Sequence, residues 1–325
     1  EHEEQAKEFY ENLKEVEFKV LSVGEEYLNP PPPYTTDTML KDASDRYRFS
    51  LPKTMELAQT LFELGYITYH RTDHARVSDQ GVFIAKEYIK EELGEEFFVG
   101  RHWEERGAHE CIRPTKPIDV EELRSLVLSG QVEGLSREHL LLYDLIFRRF
   151  MASQTRAIKV KFAEVLLKAG EVEQRHKLYV EVLEEGWNKF LYFETQPYLE
   201  GKINVEDKKE LKALPKAFLY TQGELVQEMK KRGIGRPSTY AVIVDKLLER
   251  GYVIEKSGFL IPTKLGKLAY QYLSQKEGVR EFVSEEFTRE LERLMDEVEE
   301  GRADYQEILM KLYEEITKAK NLELV

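Results

Sequence analysis

The run Gly65-Tyr66-Ile67-Thr68-Tyr69-His70-Arg71-Thr72-Asp73 brings a phenol, an imidazole, a guanidinium and a carboxylate together between Tyr69 and Asp73. On an extended strand residues i and i+2 share a face, so Tyr69 and Arg71 are expected side by side. A phenol beside a fixed cation suits phosphoryl chemistry: the oxygen attacks phosphorus, a phosphotyrosine forms, and the guanidinium offsets charge on the phosphoryl oxygens. An ordinary phenol ionises near about pH 10, so it needs positive charge close by to attack at neutrality. The run also reads as an amphipathic strand end whose tyrosines pack and whose Arg71 pairs with Asp73. Were it helical, His70, Asp73 and His74 would fall at i, i+3 and i+4, a spacing that would suit a metal-dependent hydrolase.

Two more polar clusters follow. In Gly107 to Thr115, His109 stands beside Glu110, and Arg113 lies four residues on. The imidazole could donate to a phosphate or shuttle a proton, though a lone histidine serves structure as readily. Arg113 precedes Pro114, which favours extended backbone and is expected to aim the guanidinium outward, towards an anion. In Lys230 to Tyr240, Gly233 and Gly235 permit close backbone approach, and Pro237 suits the first turn of a helix whose free amides face an anion. The stretch to Val253 reads as helix, glycine stop and strand, as in winged-helix modules. A basic solvated turn, or a non-catalytic DNA-binding or scaffolding protein, would fit that segment too.

The elements that must hold these clusters can be read from pattern. Residues 1–14 are helix-prone, and Val16 to Leu21 alternates as a strand. Pro30 to Pro33 form a stiff connection ending in Thr35 and Thr36, hydroxyls suited to cap a helix. From Thr36 to Gln154 the period is mainly helical, with helices expected at 54–62, 78–93, 120–128 and 140–151. Between Ile158 and Phe193 the period is two, giving strands at 159–165 and 178–182. Beyond Pro215 the pattern turns helical again. Apolar stripes at Phe287, Leu291, Leu294, Met295 and Val298, and at Tyr305, Ile308, Leu309, Leu312 and Ile316, are expected to face a core.

Composition narrows the setting. The 325 residues suffice for two or three domains. No apolar run approaches the roughly 20 residues that cross a bilayer, so a soluble, cytoplasmic protein without membrane contact is expected. Cys111 is the sole cysteine, which excludes an internal disulfide and cysteine-based zinc sites. A net charge of −13 disfavours general adhesion to nucleic acid, so any polyanion site must be local. Abundant Glu and Lys with scarce Asn fit a thermophile.

Together these segments resemble the type IA DNA topoisomerases, and most of all the topoisomerase module of reverse gyrase. Residues 31–36 look like the family's Pro-Pro-x-Pro-Phe-Thr-Thr, 65–73 like its Gly-Tyr-Ile-Thr-Tyr-x-Arg-Thr-Asp, and 108–114 like Ala-His-Glu-Ala-Ile-Arg-Pro. Residues 149–154 resemble Arg-Phe-x-Ala-Ser-Gln, 233–241 Gly-Ile-Gly-Arg-Pro-Ser-Thr-Tyr-Ala, and 287–301 the Phe-Thr…Glu…Leu-Asp…Gly tail. The departures are His74 after Asp73, where bacterial members usually have serine, and Cys111 in place of alanine. His70 is a feature of the reverse-gyrase branch.

The resemblance implies Tyr69 as nucleophile, Arg71 as transition-state stabiliser, His109 as a partner near the scissile phosphate, and Arg236 with Thr239 as DNA-backbone contacts. It implies an α+β torus. A β-rich arch would take 1–28 and 155–214, a helical domain carrying the tyrosine 29–154, and a helical DNA-binding domain with a winged-helix-like segment 215–325. The implied activity is single-strand cleavage and rejoining on single-stranded and duplex DNA. The family's acidic Asp-x-Asp-x-Glu motif is absent from these residues. With Glu1 first, the chain is therefore expected to be the C-terminal part of a longer enzyme. Mg²⁺ would belong to an N-terminal topoisomerase domain outside this chain, and ATP to a helicase-like half if the parent is a reverse gyrase.

Overall fold

Alternation in the first strand region extends further than Leu21. After helix α1 (His2–Asn12), strand β1 runs from Glu15 to Leu28 and forms the spine of a four-stranded antiparallel sheet. On one side it pairs with β2 (Ile158–Ala169), from Glu17 opposite Lys168 to Leu28 opposite Ile158. On the other it pairs with the short β4 (Gly201–Asn204), and β3 (Val172–Glu184) completes the order β3-β2-β1-β4. Gly170, with φ +58°, takes the left-handed conformation that the tight β2–β3 turn requires. The computed structural model describes residues 2–104, 109–212, 218–276 and 278–322. Gly107 and Ala108 of the second cluster, and the expected boundary at 214/215, lie outside the described residues.

Between Leu28 and Ile158 the chain is helical: α2 (Thr36–Tyr47), α3 (Leu51–Glu63), α4 (Asp79–Glu92), α5 (Val120–Leu128) and α6 (Arg137–Gln154). Each begins where the sequence supplies a cap. Thr35 precedes α2, and its backbone N–H donates to the Thr38 hydroxyl at 3.0 Å. The Ser78 hydroxyl accepts from the Gly81 N–H, and the Asp119 carboxylate accepts from Glu121 and Glu122. The long apolar run of α6 supplies the centre of the core: Leu142, Tyr143, Ile146, Phe150 and Met151 are fully enclosed against α3, α4 and α5. Burial of each such side chain stabilises by about 1.5–3 kcal/mol.

After residue 218 come α7 (Gln222–Lys231), α8 (Tyr240–Glu249), the hairpin β5 (Val253–Lys256) and β6 (Phe259–Pro262), and then α9 (Lys264–Gln275), α10 (Glu285–Glu299) and α11 (Tyr305–Leu322). Helix, glycine stop at Gly251 and hairpin follow in the order of a winged helix. A second apolar cluster joins this region to the first: Leu40 and Leu51 of α2 and α3 pack with Val226, Met229, Tyr240, Ala241, Val244 and Leu260. The fold is thus α+β, with a four-stranded sheet and a two-stranded hairpin among eleven described helices.

Two expectations change. Residues 65–73 form no strand; only Ile67 makes a bridge, to Pro114. The stripes of α10 and α11 do not face a core: none of their described residues is buried, and Met295, Tyr305, Leu309 and Ile316 are exposed, because no further layer covers them among the described residues.

Candidate active site

Tyr69 sits in an irregular segment whose backbone is tied at both ends. Helix α3 stops at Gly65, whose φ of +74° reverses the chain, and the Tyr66 N–H closes back on the Leu61 carbonyl at 2.9 Å. On the next stretch the Thr68 N–H donates to the Arg113 carbonyl at 2.9 Å. Its hydroxyl donates to the Cys111 carbonyl at 2.7 Å and accepts from the Arg113 N–H at 3.0 Å. On the far side Thr36, at the start of α2, takes over. Its N–H donates to the Thr72 carbonyl at 2.8 Å, its hydroxyl donates to the His70 carbonyl at 2.8 Å, and that hydroxyl accepts the Thr72 N–H at 2.8 Å.

Held extended in this way, the segment keeps the strand's alternation without its ladder. Tyr69, Arg71 and Asp73 are exposed, while His70 and Thr72 are buried. Tyr69 and Arg71 therefore share the outer face, as their spacing requires. Tyr69 is 39% exposed, enough for a substrate to reach it. Its ring packs against Phe62 at 5.2 Å between centroids, His70 at 5.4 Å and His109 at 6.3 Å. His109 is itself exposed, so phenol and imidazole meet on an accessible surface, with Arg71 exposed two residues on.

His70 points the other way. It is wholly enclosed, and neither ring nitrogen has a hydrogen-bond partner. Burial first, and the Arg71 cation second, push its pKa down to about 4, so the ring is neutral at ordinary pH. This geometry dismantles the hydrolase reading, since the segment is not helical and His70 is buried while Asp73 is exposed. His74 instead lies 3.3 Å from Asp73 and 3.2 Å from Glu104. Among the described residues no group of three His, Cys, Asp or Glu side chains is arranged to hold a metal ion.

Arg113 corrects its expectation. Its backbone is in place, but the guanidinium is buried, donating to Glu110 at 2.6 Å, to the Pro114 carbonyl at 3.0 Å and to Ser78 at 3.3 Å. Glu110 draws it inward, and a carboxylate so paired is held below its ordinary pKa despite burial. The side chain is a brace between the His109 loop and α4. Cys111 is also enclosed, and burial pushes its thiol pKa up, so it stays protonated.

The third cluster forms a turn before α8, which begins at Tyr240, later than Pro237 suggests. The Thr239 hydroxyl accepts from the Arg236 N–H at 2.8 Å. An anion does occupy the spot, and it is internal. The Gly235 N–H donates to Glu292 at 2.8 Å, and the Arg236 guanidinium pairs with Glu292 and with Asp296 at 2.7 Å. Sequence reasoning had no means to pair Arg236 with carboxylates over fifty residues away. It also missed Thr36 and Thr68, although the threonine pair after the prolines and the threonine before Tyr69 were the available signals.

A sequence model of the DNA topoisomerase family matches residues 1–310, and the chain belongs to that family, in its type IA branch. Its relatives narrow the branch. The chain is 65% identical to "Reverse gyrase 1" of Aquifex aeolicus over 97% of its own length and 27% of the relative's. It is 49% identical to the reverse gyrase of Pyrococcus furiosus over 94% of its length and 26% of that protein's. The chain thus spans about a quarter of the curated relatives it matches. Among solved structures, full-length topoisomerase I of Thermotoga maritima superposes with a TM-score of 0.75 at 33% identity, covering 97% of this chain and 54% of that one.

Proposed function

We propose that this chain is the nucleophile-bearing, C-terminal part of a reverse gyrase or closely related type IA topoisomerase. The observation that carries it is Tyr69: an accessible phenol on a segment fixed at both ends, with Arg71 on its face and His109 beside its ring. In the proposed reaction the Tyr69 oxygen bonds to the phosphorus of a phosphodiester in single-stranded DNA, and the bond from phosphorus to the 3′-oxygen breaks. The phenol proton leaves to solvent, and the departing oxygen takes up a proton as a 3′-hydroxyl. A 5′-phosphotyrosyl link remains, a second strand passes, and the reverse attack restores the backbone.

Arg71 would neutralise the pentavalent phosphoryl group, and His109 would donate to its neighbourhood. Backbone phosphates would run past Lys230 to Arg236 and Thr239. Residues 29–154 would form the moving gate, 1–28 and 155–214 the arch, and 215–325 the DNA-holding part. Pro30 to Pro33 and Gln154 are the natural hinges. Following the resemblance, we assign Mg²⁺ and ATP to other regions of the longer protein, with a helicase-like half as covalent partner.

The test is Tyr69→Phe in the full-length enzyme with labelled single-stranded DNA on denaturing gels. Covalent adduct should vanish while binding stays within a few-fold, because one oxygen is removed and little packing. Persistent adduct would overturn the assignment. Arg71→Ala should slow cleavage by about 10- to 1,000-fold, more in rate than in affinity.

A further inference from the structure

Among the polar contacts between the helices before residue 154 and those after 218, one lies directly beside the nucleophile segment's anchor. Thr36 binds the backbone on both sides of Arg71, and the next residue, Asp37, meets α7. Its carboxylate takes the Lys230 ammonium at 2.7 Å, the Gln227 amide at 3.1 Å and the Thr35 hydroxyl at 2.7 Å. The pair is lopsided: the Asp37 side chain is 3% exposed, whereas that of Lys230 is 40% exposed. The buried anion is the fixed end, and the cation is the end that a ligand can reach from solvent. Around this point Leu40 and Leu51 pack against Val226 and Met229, so the contact seals an apolar interface.

We propose that Asp37 is a positioning residue whose hold on Lys230 a backbone phosphate of single-stranded DNA exchanges for its own. The inference rests on the reading of the chain as a DNA topoisomerase and adds to it a link between strand binding and the gate. A phosphate arriving at Lys230 draws the ammonium outward. The carboxylate then keeps only the neutral Gln227 and Thr35 donors in a buried place, which weakens the attachment of α2 to α7. Because Thr36 is the adjoining residue, release at Asp37 is felt at the Tyr69 backbone. DNA that fills the basic segment would thereby loosen the contact that a gate has to break for a strand to pass.

The experiment uses the full-length enzyme, a labelled oligonucleotide at several salt concentrations, and relaxation of a negatively supercoiled plasmid. Asp37→Asn keeps the shape and frees Lys230. It should tighten oligonucleotide binding by roughly three- to tenfold and steepen log affinity against log salt by up to about one unit. The same substitution should slow relaxation more than oligonucleotide cleavage, because phosphate arrival no longer changes the interface. Lys230→Gln should flatten the slope by up to about one unit, and Asp37→Asn added to it should have no further effect on binding. An unchanged slope in Lys230→Gln, or an Asp37→Asn effect on binding that persists without Lys230, overturns the proposal. Should Asp37→Asn not fold, the Lys230→Gln slope decides alone. Failure of the wild-type enzyme to form a covalent adduct would count against the topoisomerase reading instead.

Discussion

At the scale of single residues, His70 carries the least expected chemistry. Its ring is enclosed with both nitrogens unpartnered, beside an arginine, so the folded protein resists protonating it. The sign follows from linkage: the unfolded chain takes up the proton near pH 6.5 and the folded chain only near about 4, so unfolding binds more protons between these values. The His70 contribution is intact above about pH 6.5 and lost as pH falls towards 4, by an amount on the order of 3 kcal/mol. Denaturant melts of wild type and His70→Phe should lie closest at pH 7 and diverge most at pH 5, because the apolar ring has no nitrogen to protonate. The cleaner readout is slope, since His70→Phe should flatten stability against pH in that window. An unchanged profile would mean that the ring is hydrated and titrates freely.

At the scale of elements, the active segment depends on Thr36 more than on secondary structure. Thr36→Val keeps the volume and removes the hydroxyl, leaving the buried Thr72 N–H and His70 carbonyl without that partner. The loss should be about 1–3 kcal/mol, visible in thermal melts, with slower cleavage and little change in DNA affinity. This dependence explains what the sequence could and could not disclose. Helices α4 and α5 were legible because Ser78 and Asp119 announce them and their apolar spacing is local. The alternation of Tyr69 and Arg71 was legible for the same reason. The strand was not there to be read, because its hydrogen bonds go to Thr36 and Arg113, partners distant in sequence. Arg113 and Arg236 read as free cations because the carboxylates that claim them, Glu110 apart, come from other elements.

At the scale of the whole molecule, a net −13 means that on the proposed reading DNA would approach against long-range repulsion and be held by few cations. Those cations are not equivalent. Arg236 is clamped by two carboxylates and anchored through Gly235 to the same helix, so Arg236→Ala should lower affinity across sequences while flattening the salt slope by well under about one unit. Titrations at several ionic strengths check this, and a full unit would show that the arginine leaves its carboxylates for phosphate. The sheet has a separate consequence. Leu28 and Ile158 are paired neighbours on adjacent antiparallel strands, so the chain departs and returns at one place. A tight reverse turn spliced between them would delete everything from 29 to 157 and still leave β1 and β2 in register as a simple hairpin. Tyr69 is thus carried on a cassette, and a lineage could gain, lose or exchange it at a single seam without redrawing the sheet that bears it.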